Sequence, residues 1–111
     1  MIDMFYMASI HIKPDSLEWE VLAKGITRTT LFREDVRNLQ MDKIKLEPGA
    51  QSPLHIHNDD EWVYVLRGSM SDQTGTYNEG DFLVNRKGTK HIVTAGKSGC
   101  LLLALYSEKP Y

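Results

Sequence analysis

The sequence predicts an all-β domain folded as an antiparallel sandwich or barrel. Three observations lead there: about ten short apolar or alternating runs, turn-forming residues between nearly all of them, and no long stretch of helical periodicity. A chain of 111 residues encloses one core, so a single domain is expected. The formal net charge of −2 argues against a surface for nucleic acid or an anionic membrane. The longest apolar run, Cys100 to Tyr106, is far too short to cross a bilayer.

The N-terminus, MIDMFYMASIHIK, is apolar but carries Asp3 and no early basic residue, which makes a poor signal peptide. Residues 1–24 are read instead as an arm with strands that covers another surface, with Met7–Lys13 as the first candidate strand. Asp15–Gly25 is ambiguous. DSLE can open a short helix as a capping box, yet Leu17, Trp19 and Val21 alternate, and extended structure is the reading adopted.

Candidate strands follow at Ile26–Arg33, Leu39–Leu46, Pro53–His57, Glu61–Arg67, Ser69–Asp72, Gly75–Asn78, Asp81–Asn85, Thr89–Thr94 and Cys100–Tyr106. Between them lie Glu47-Pro48-Gly49, Asn58-Asp59-Asp60, Gln73-Thr74-Gly75, Glu79-Gly80, Lys87-Gly88 and Gly96-Lys97-Ser98-Gly99, all turn chemistry. In Leu39–Leu46 the alternation breaks at Asp42-Lys43, where a bulge or change of face is expected. WVYVL (62–66) and CLLLALY (100–106) are apolar on both faces, which marks central strands whose outer face a second layer or subunit covers. A homodimer is therefore expected. The lone Cys100 has no internal disulfide partner, fits a reducing cytoplasm and is read as a buried, inert thiol.

Chemistry concentrates at Leu54 to Glu61, LHIHNDDE. Residues two apart on a strand share a face, so His55 and His57 point together. A turn at Asn58–Asp60 would bring Glu61 onto the neighbouring strand near them. Imidazole nitrogen and carboxylate oxygen are good ligands for divalent transition metals. The bland alternative is a pair of satisfied core histidines beside a surface acid.

The wider frame favours the metal. Gly49, five residues, His55, one, His57, three, Glu61, six, Gly68 is followed by Gly80, five, Arg86, one, Gly88, two, His91. This resembles the two cupin motifs, at 49–68 and 80–95. The first matches at every defining position; in the second, Arg86 stands where the family usually has proline and Ala95 where it often has asparagine. Three of the four histidines fall on the three histidine slots. The resemblance implies a small antiparallel jelly-roll barrel (a double-stranded β-helix) and one divalent ion, zinc, iron, manganese or nickel, held by His55, His57, Glu61 and His91. His11, between Ile10 and Ile12, is read as a solvent-facing strand residue.

A narrower similarity is to the cupin-like domain of ChrR-type anti-sigma factors. It rests on Ser71, Asp72, Gly75, Tyr77, Gly80, Asn85, Gly88, Thr89, His91, Gly99 and Cys100, with Trp19, Gly25 and KLEPGAQSPLHIH upstream. Those anti-sigma factors hold the sigma factor with a separate zinc-binding helical domain. The expectation here is the sensory or ligand-binding domain alone. Related cupins include dioxygenases that cleave small diketones or hydroxylated aryl ketones.

With Glu61 inward, Val63 and Val65 should wall the pocket, while Trp62 and Tyr64 face outward into a dimer contact or a second core. Arg67 shares the inward parity but is expected to reach solvent. Asp72 and Asn85 are candidates to orient the ligands, although turn roles are commoner. Three neutral imidazoles and one carboxylate leave a divalent ion with a net charge of +1, and open positions could take a small bidentate oxygen ligand such as an enolate. No general base or nucleophile pair is apparent, so catalytic residues stay unassigned. Three functions follow: a small-molecule or redox-responsive sensor domain, a metal-dependent dioxygenase, or a ligand-binding barrel with a structural metal.

Overall fold

The computed structural model describes residues 9–107. The nine strands among the described residues are β1 (Glu20–Ala23), β2 (Ile26–Glu34), β3 (Leu39–Leu46), β4 (His55–Ile56), β5 (Glu61–Asp72), β6 (Gly75–Asn78), β7 (Phe82–Asn85), β8 (Lys90–His91) and β9 (Thr94–Tyr106). The only helical turn among the described residues is a 3-10 turn at Pro14–Ser16. No described helix is long and apolar enough to cross a membrane.

Seven strands form one antiparallel sheet in the order β1-β2-β3-β9-β5-β6, with β7 also paired to β5; β4 and β8 form a second, two-stranded sheet. β9 sits at the centre because CLLLALY is apolar on both faces. Its alternate residues Cys100, Leu102, Ala104 and Tyr106 are buried, and they join Val63, Val65, Leu46 and Ile26 in the core. The expected inward parity of Val63 and Val65 holds, at 2% and 0% exposure.

Several expectations are corrected. The first part of Met7–Lys13 lies outside the described residues, and Ser9–Lys13 is not in a strand. The extended reading of Asp15–Gly25 holds from Glu20, after the 3-10 turn. β3 carries no bulge at Asp42-Lys43. Its alternation runs unbroken and Asp42 points inward, fully buried. A carboxylate is tolerated there because it is satisfied on all sides. It accepts hydrogen bonds from the Tyr106 hydroxyl, from Gln40 Nε2 at 2.9 Å and from Thr30 Oγ1 at 2.9 Å, and Arg28 lies 3.5 Å away. The irregularity falls instead on β2, between Thr30 and Phe32.

Glu61–Arg67 and Ser69–Asp72 are one strand. An extra residue at Leu66 shifts the β5–β9 register between Val65 and Arg67. That shift reverses parity, which is why Arg67 is exposed despite its spacing from Val65. The turn expected at Gly96–Gly99 is a bulge within β9, where four residues lie opposite Ser69 alone, between the pairs Gly68↔Cys100 and Met70↔Ala95. Gly68 and Gly99 make that crossing possible. A Cβ on Gly68, at φ +72°, would stand 2.0 Å from the Gly99 carbonyl oxygen.

Candidate metal centre

The pairing of β4 with β8 puts His55 directly opposite His91, and that of β5 with β7 puts Glu61 opposite Asn85. His57 lies one residue beyond β4, where its amide donates to the Thr89 carbonyl at 2.9 Å and its carbonyl accepts from the Gly88 amide at 2.8 Å. Backbone ladders thus fix all three histidines. The Asn58–Asp60 turn is tied to the opposite turn, since Asp60 Oδ1 accepts from the Lys87 amide at 2.8 Å and lies 3.3 Å from Arg86 Nε. Arg86, where the resemblance leads to proline, supplies one side of that tie.

The Nε2 atoms of the three histidines converge. His55 Nε2 and His91 Nε2 are 2.8 Å apart, and His91 Nε2 and His57 Nε2 are 3.1 Å apart. The outer nitrogens settle the tautomers of two of them. His55 Nδ1 is 3.0 Å from the Pro53 carbonyl and His91 Nδ1 is 3.0 Å from Asp72 Oδ2, and both oxygens can only accept. Each Nδ1 therefore carries a proton, and in a neutral ring held this way Nε2 presents a lone pair. Two lone pairs 2.8 Å apart repel unless a cation stands between them. Nitrogens at these separations are at the spacing of neighbouring ligands, each about 2.0–2.1 Å from one ion. His57 Nδ1 is buried with no hydrogen-bond partner. The donor set fits a divalent metal.

Burial, reinforced by the neighbouring His91 and His55, lowers the His57 pKa to about 4. Burial likewise lowers His55, against the opposing Pro53 carbonyl. Both stay neutral near pH 7, the form that binds metal. Burial pushes Asp72 upward, but hydrogen bonds from Thr74, His91 and Tyr77 outweigh it and bring the carboxyl down to about 2. Asp72 is thus an anchored anion holding His91. It does so while accepting from the Thr74 amide and hydroxyl in the β5–β6 turn, so the turn and orienting roles coincide.

Glu61 stands apart from the convergent trio. His55, His57 and His91 form the group of donors lying within 4.8 Å of one another. Glu61 Oε1 is 3.9 Å from His57 Nδ1 and accepts a hydrogen bond from Asn85 Nδ2 at 2.9 Å. Burial raises its pKa, with the Asn85 hydrogen bond opposing. Asn85 therefore positions Glu61 rather than a histidine. His11 is exposed and far along the chain from the β4–β8 pair.

A cavity of about 330 Å³ opens beside the site, with His55, His91, Glu61 and Asn85 on one wall and Ile26, Ile44, Leu46, Val63, Leu102 and Ala104 among the others. The share of the wall contributed by β1 and β2 carries no signal in the sequence, because those strands hold no motif residue.

The family model for the ChrR cupin-like domain matches residues 7–108. The chain belongs to the ChrR cupin-like domain family. No curated protein matches the sequence. Among solved structures, the anti-sigma ChrR in complex with SigE from Rhodobacter sphaeroides superposes with a TM-score of 0.75 at 22% identity, covering 84% of this chain and 51% of that one. This ChrR cupin-like chain therefore spans about half the length of that relative. The polyketide cyclase RemF from Streptomyces resistomycificus gives 0.80 at 20% identity over 93% of this chain and 82% of RemF. KdgF from Halomonas sp. gives 0.74 at 18% identity over 92% and 96%. These likenesses establish the cupin fold, a small antiparallel jelly-roll barrel, for this member of the ChrR cupin-like family.

Proposed function

We propose that this chain is a metal-binding sensor or ligand-binding domain of the ChrR-like type. One divalent ion is held by His55, His57 and His91, with Glu61 as the fourth ligand. The observation that carries this is the convergence of the Nε2 atoms of His55 and His91, 2.8 Å apart, with their outer nitrogens committed to Pro53 and Asp72. Glu61, whose Oε1 lies 3.9 Å from His57 Nδ1, would complete a set of three imidazoles and one carboxylate. Such an ion would offer Lewis-acid chemistry toward a small oxygen ligand.

The cavity favours a binding domain over a dioxygenase. Apart from His55, Glu61 and His91, the only polar wall residues among the described residues are Ser52 and Asn85. Asn85 is engaged with Glu61, and Ser52 Oγ accepts from the Val93 amide. General acid–base chemistry needs a group that titrates near neutral pH, and neither an amide nor a serine hydroxyl does. The single buried thiol, pushed up to about 11 by burial, fits a cytoplasmic protein whose redox response would run through the metal rather than through Cys100.

The test is the metal content of protein purified without a metal-affinity column, followed by reconstitution. Near-stoichiometric zinc supports the binding domain, and stoichiometric iron or manganese with oxygen uptake on small diketones would support the dioxygenase instead. His57→Ala and Glu61→Ala should each lose stoichiometric metal. Full occupancy in Glu61→Ala would reduce the site to the histidines.

A further inference from the structure

We propose that the cavity takes a small monoanionic ligand with one oxygen head group, turned toward the histidines, and a compact hydrocarbon body. This deepens the metal reading above and rests on it for the head group.

The cavity has two kinds of wall. Its polar donors come from β4, β5, β7 and β8, as His55, Glu61, Asn85 and His91; the facing wall comes from β1, β2, β3 and β9 and is aliphatic, with Leu22, Ile44, Leu46 and Leu102 among its residues. Among the described residues, no lysine or arginine lines it. A second carboxylate on a ligand would be buried without a partner. The hydroxyls of a sugar would likewise lose water and gain nothing. Three neutral histidines and one carboxylate leave a divalent ion with one positive charge, which a single anionic oxygen neutralises. The volume sets the body. An apolar cavity of about 150 Å³ accommodates benzene, so the 330 Å³ here holds roughly ten to twelve non-hydrogen atoms.

The experiment is calorimetric titration of the zinc-loaded chain with butanoate, hexanoate, octanoate, dodecanoate, adipate and glucuronate, with zinc quantified in the same samples. Each methylene buried against the aliphatic wall should tighten binding about fourfold from butanoate to octanoate, with no further gain at dodecanoate. Adipate and glucuronate should bind at least a hundredfold more weakly than hexanoate. Ala104→Leu, which fills the cavity from β9, should weaken octanoate tenfold or more at unchanged zinc content. If that variant does not fold, Leu22→Phe on the edge strand β1 serves the same purpose.

Binding that is flat in chain length, adipate equal to hexanoate, or a folded cavity-filled variant that binds octanoate like the parent overturns the proposal. In a zinc-loaded sample those results leave the metal reading standing. A chain that takes up no zinc overturns the metal reading and the head-group assignment together.

Discussion

Asp72 shows how a single side chain can serve both the turn and the metal centre. Its Oδ1 closes the β5–β6 turn through Thr74, while its Oδ2 fixes the His91 ring. Asp72→Asn keeps the size and the turn geometry but can offer an N–H where only an acceptor fits. Metal affinity, measured by competition with a chromophoric chelator, should fall about 10- to 100-fold. His57 gives a second prediction at this scale. Its pKa in the folded, metal-free protein is about 4, against about 6.5 for an unfolded histidine. Between those values the unfolded state binds more protons, so stability must fall as pH drops from about 6.5 toward 4. Denaturant midpoints of metal-free protein should decline through that window, and those of His57→Gln should decline less. The shared face of His55 and His57 was legible from spacing, because a strand fixes which residues point together, whereas His91, 36 positions away from His55, came only from the resemblance to the cupin motifs. The partners of Asp42 were not legible. Tyr106 and Gln40 lie 66 positions apart, and no local pattern announces that they meet at one carboxylate.

At the scale of elements, the boundaries of β3 and β6 follow directly from the residues, whereas β5 and β9 are longer than their apolar runs. Gly68 and the Gly96–Gly99 segment read as breaks in the sequence, but neighbouring strands carry the ladder past them as bulges. Local turn propensity lost to pairing on both sides of a central strand. Gly68→Ala should therefore be severe. The positive φ costs about 1–2 kcal/mol, and the new methyl collides with backbone rather than with a movable side chain. Gly49→Ala also sits at positive φ but meets nothing within 4 Å, so it should cost only the conformational part. Urea unfolding of the two variants side by side checks the difference. Equal losses would mean that the Gly68–Gly99 crossing adjusts easily.

For the whole molecule, the outer face of the large sheet is the feature without a counterpart in the described residues. Trp62, Tyr64 and Phe82 are 48%, 44% and 57% exposed. They lie side by side, because Tyr64 is paired with both Phe82 and Leu103, and Trp62 with Val84 and Leu105. With aromatic side chains of about 150–250 Å² each, these three alone leave roughly 300 Å² of apolar surface open, which reaches the range of the largest patch on a typical monomer, about 300–600 Å². The homodimer expected from the doubly apolar strands would cover it, with one copy's face against the other's. Light scattering at micromolar concentration should give twice the chain mass. Tyr64→Glu with Phe82→Glu should halve it while leaving metal content unchanged. A monomeric parent protein would remove the dimer from the account.

The two-stranded β4–β8 sheet is short, with the pairs His55↔His91 and Ile56↔Lys90 continued by the His57 hydrogen bonds to Thr89 and Gly88, while the seven-stranded sheet is secured by long ladders. An ion shared by His55 and His91, 36 positions apart in the chain, would act as a cross-link on the weakest part of the barrel. Removing it should then leave the large sheet closed and let the small one open locally. Amide exchange would show this as faster deuteration confined to 55–57 and 88–91. A domain whose stiffness at one edge depends on its metal can turn loss or oxidation of that metal into a change of surface that another protein could read.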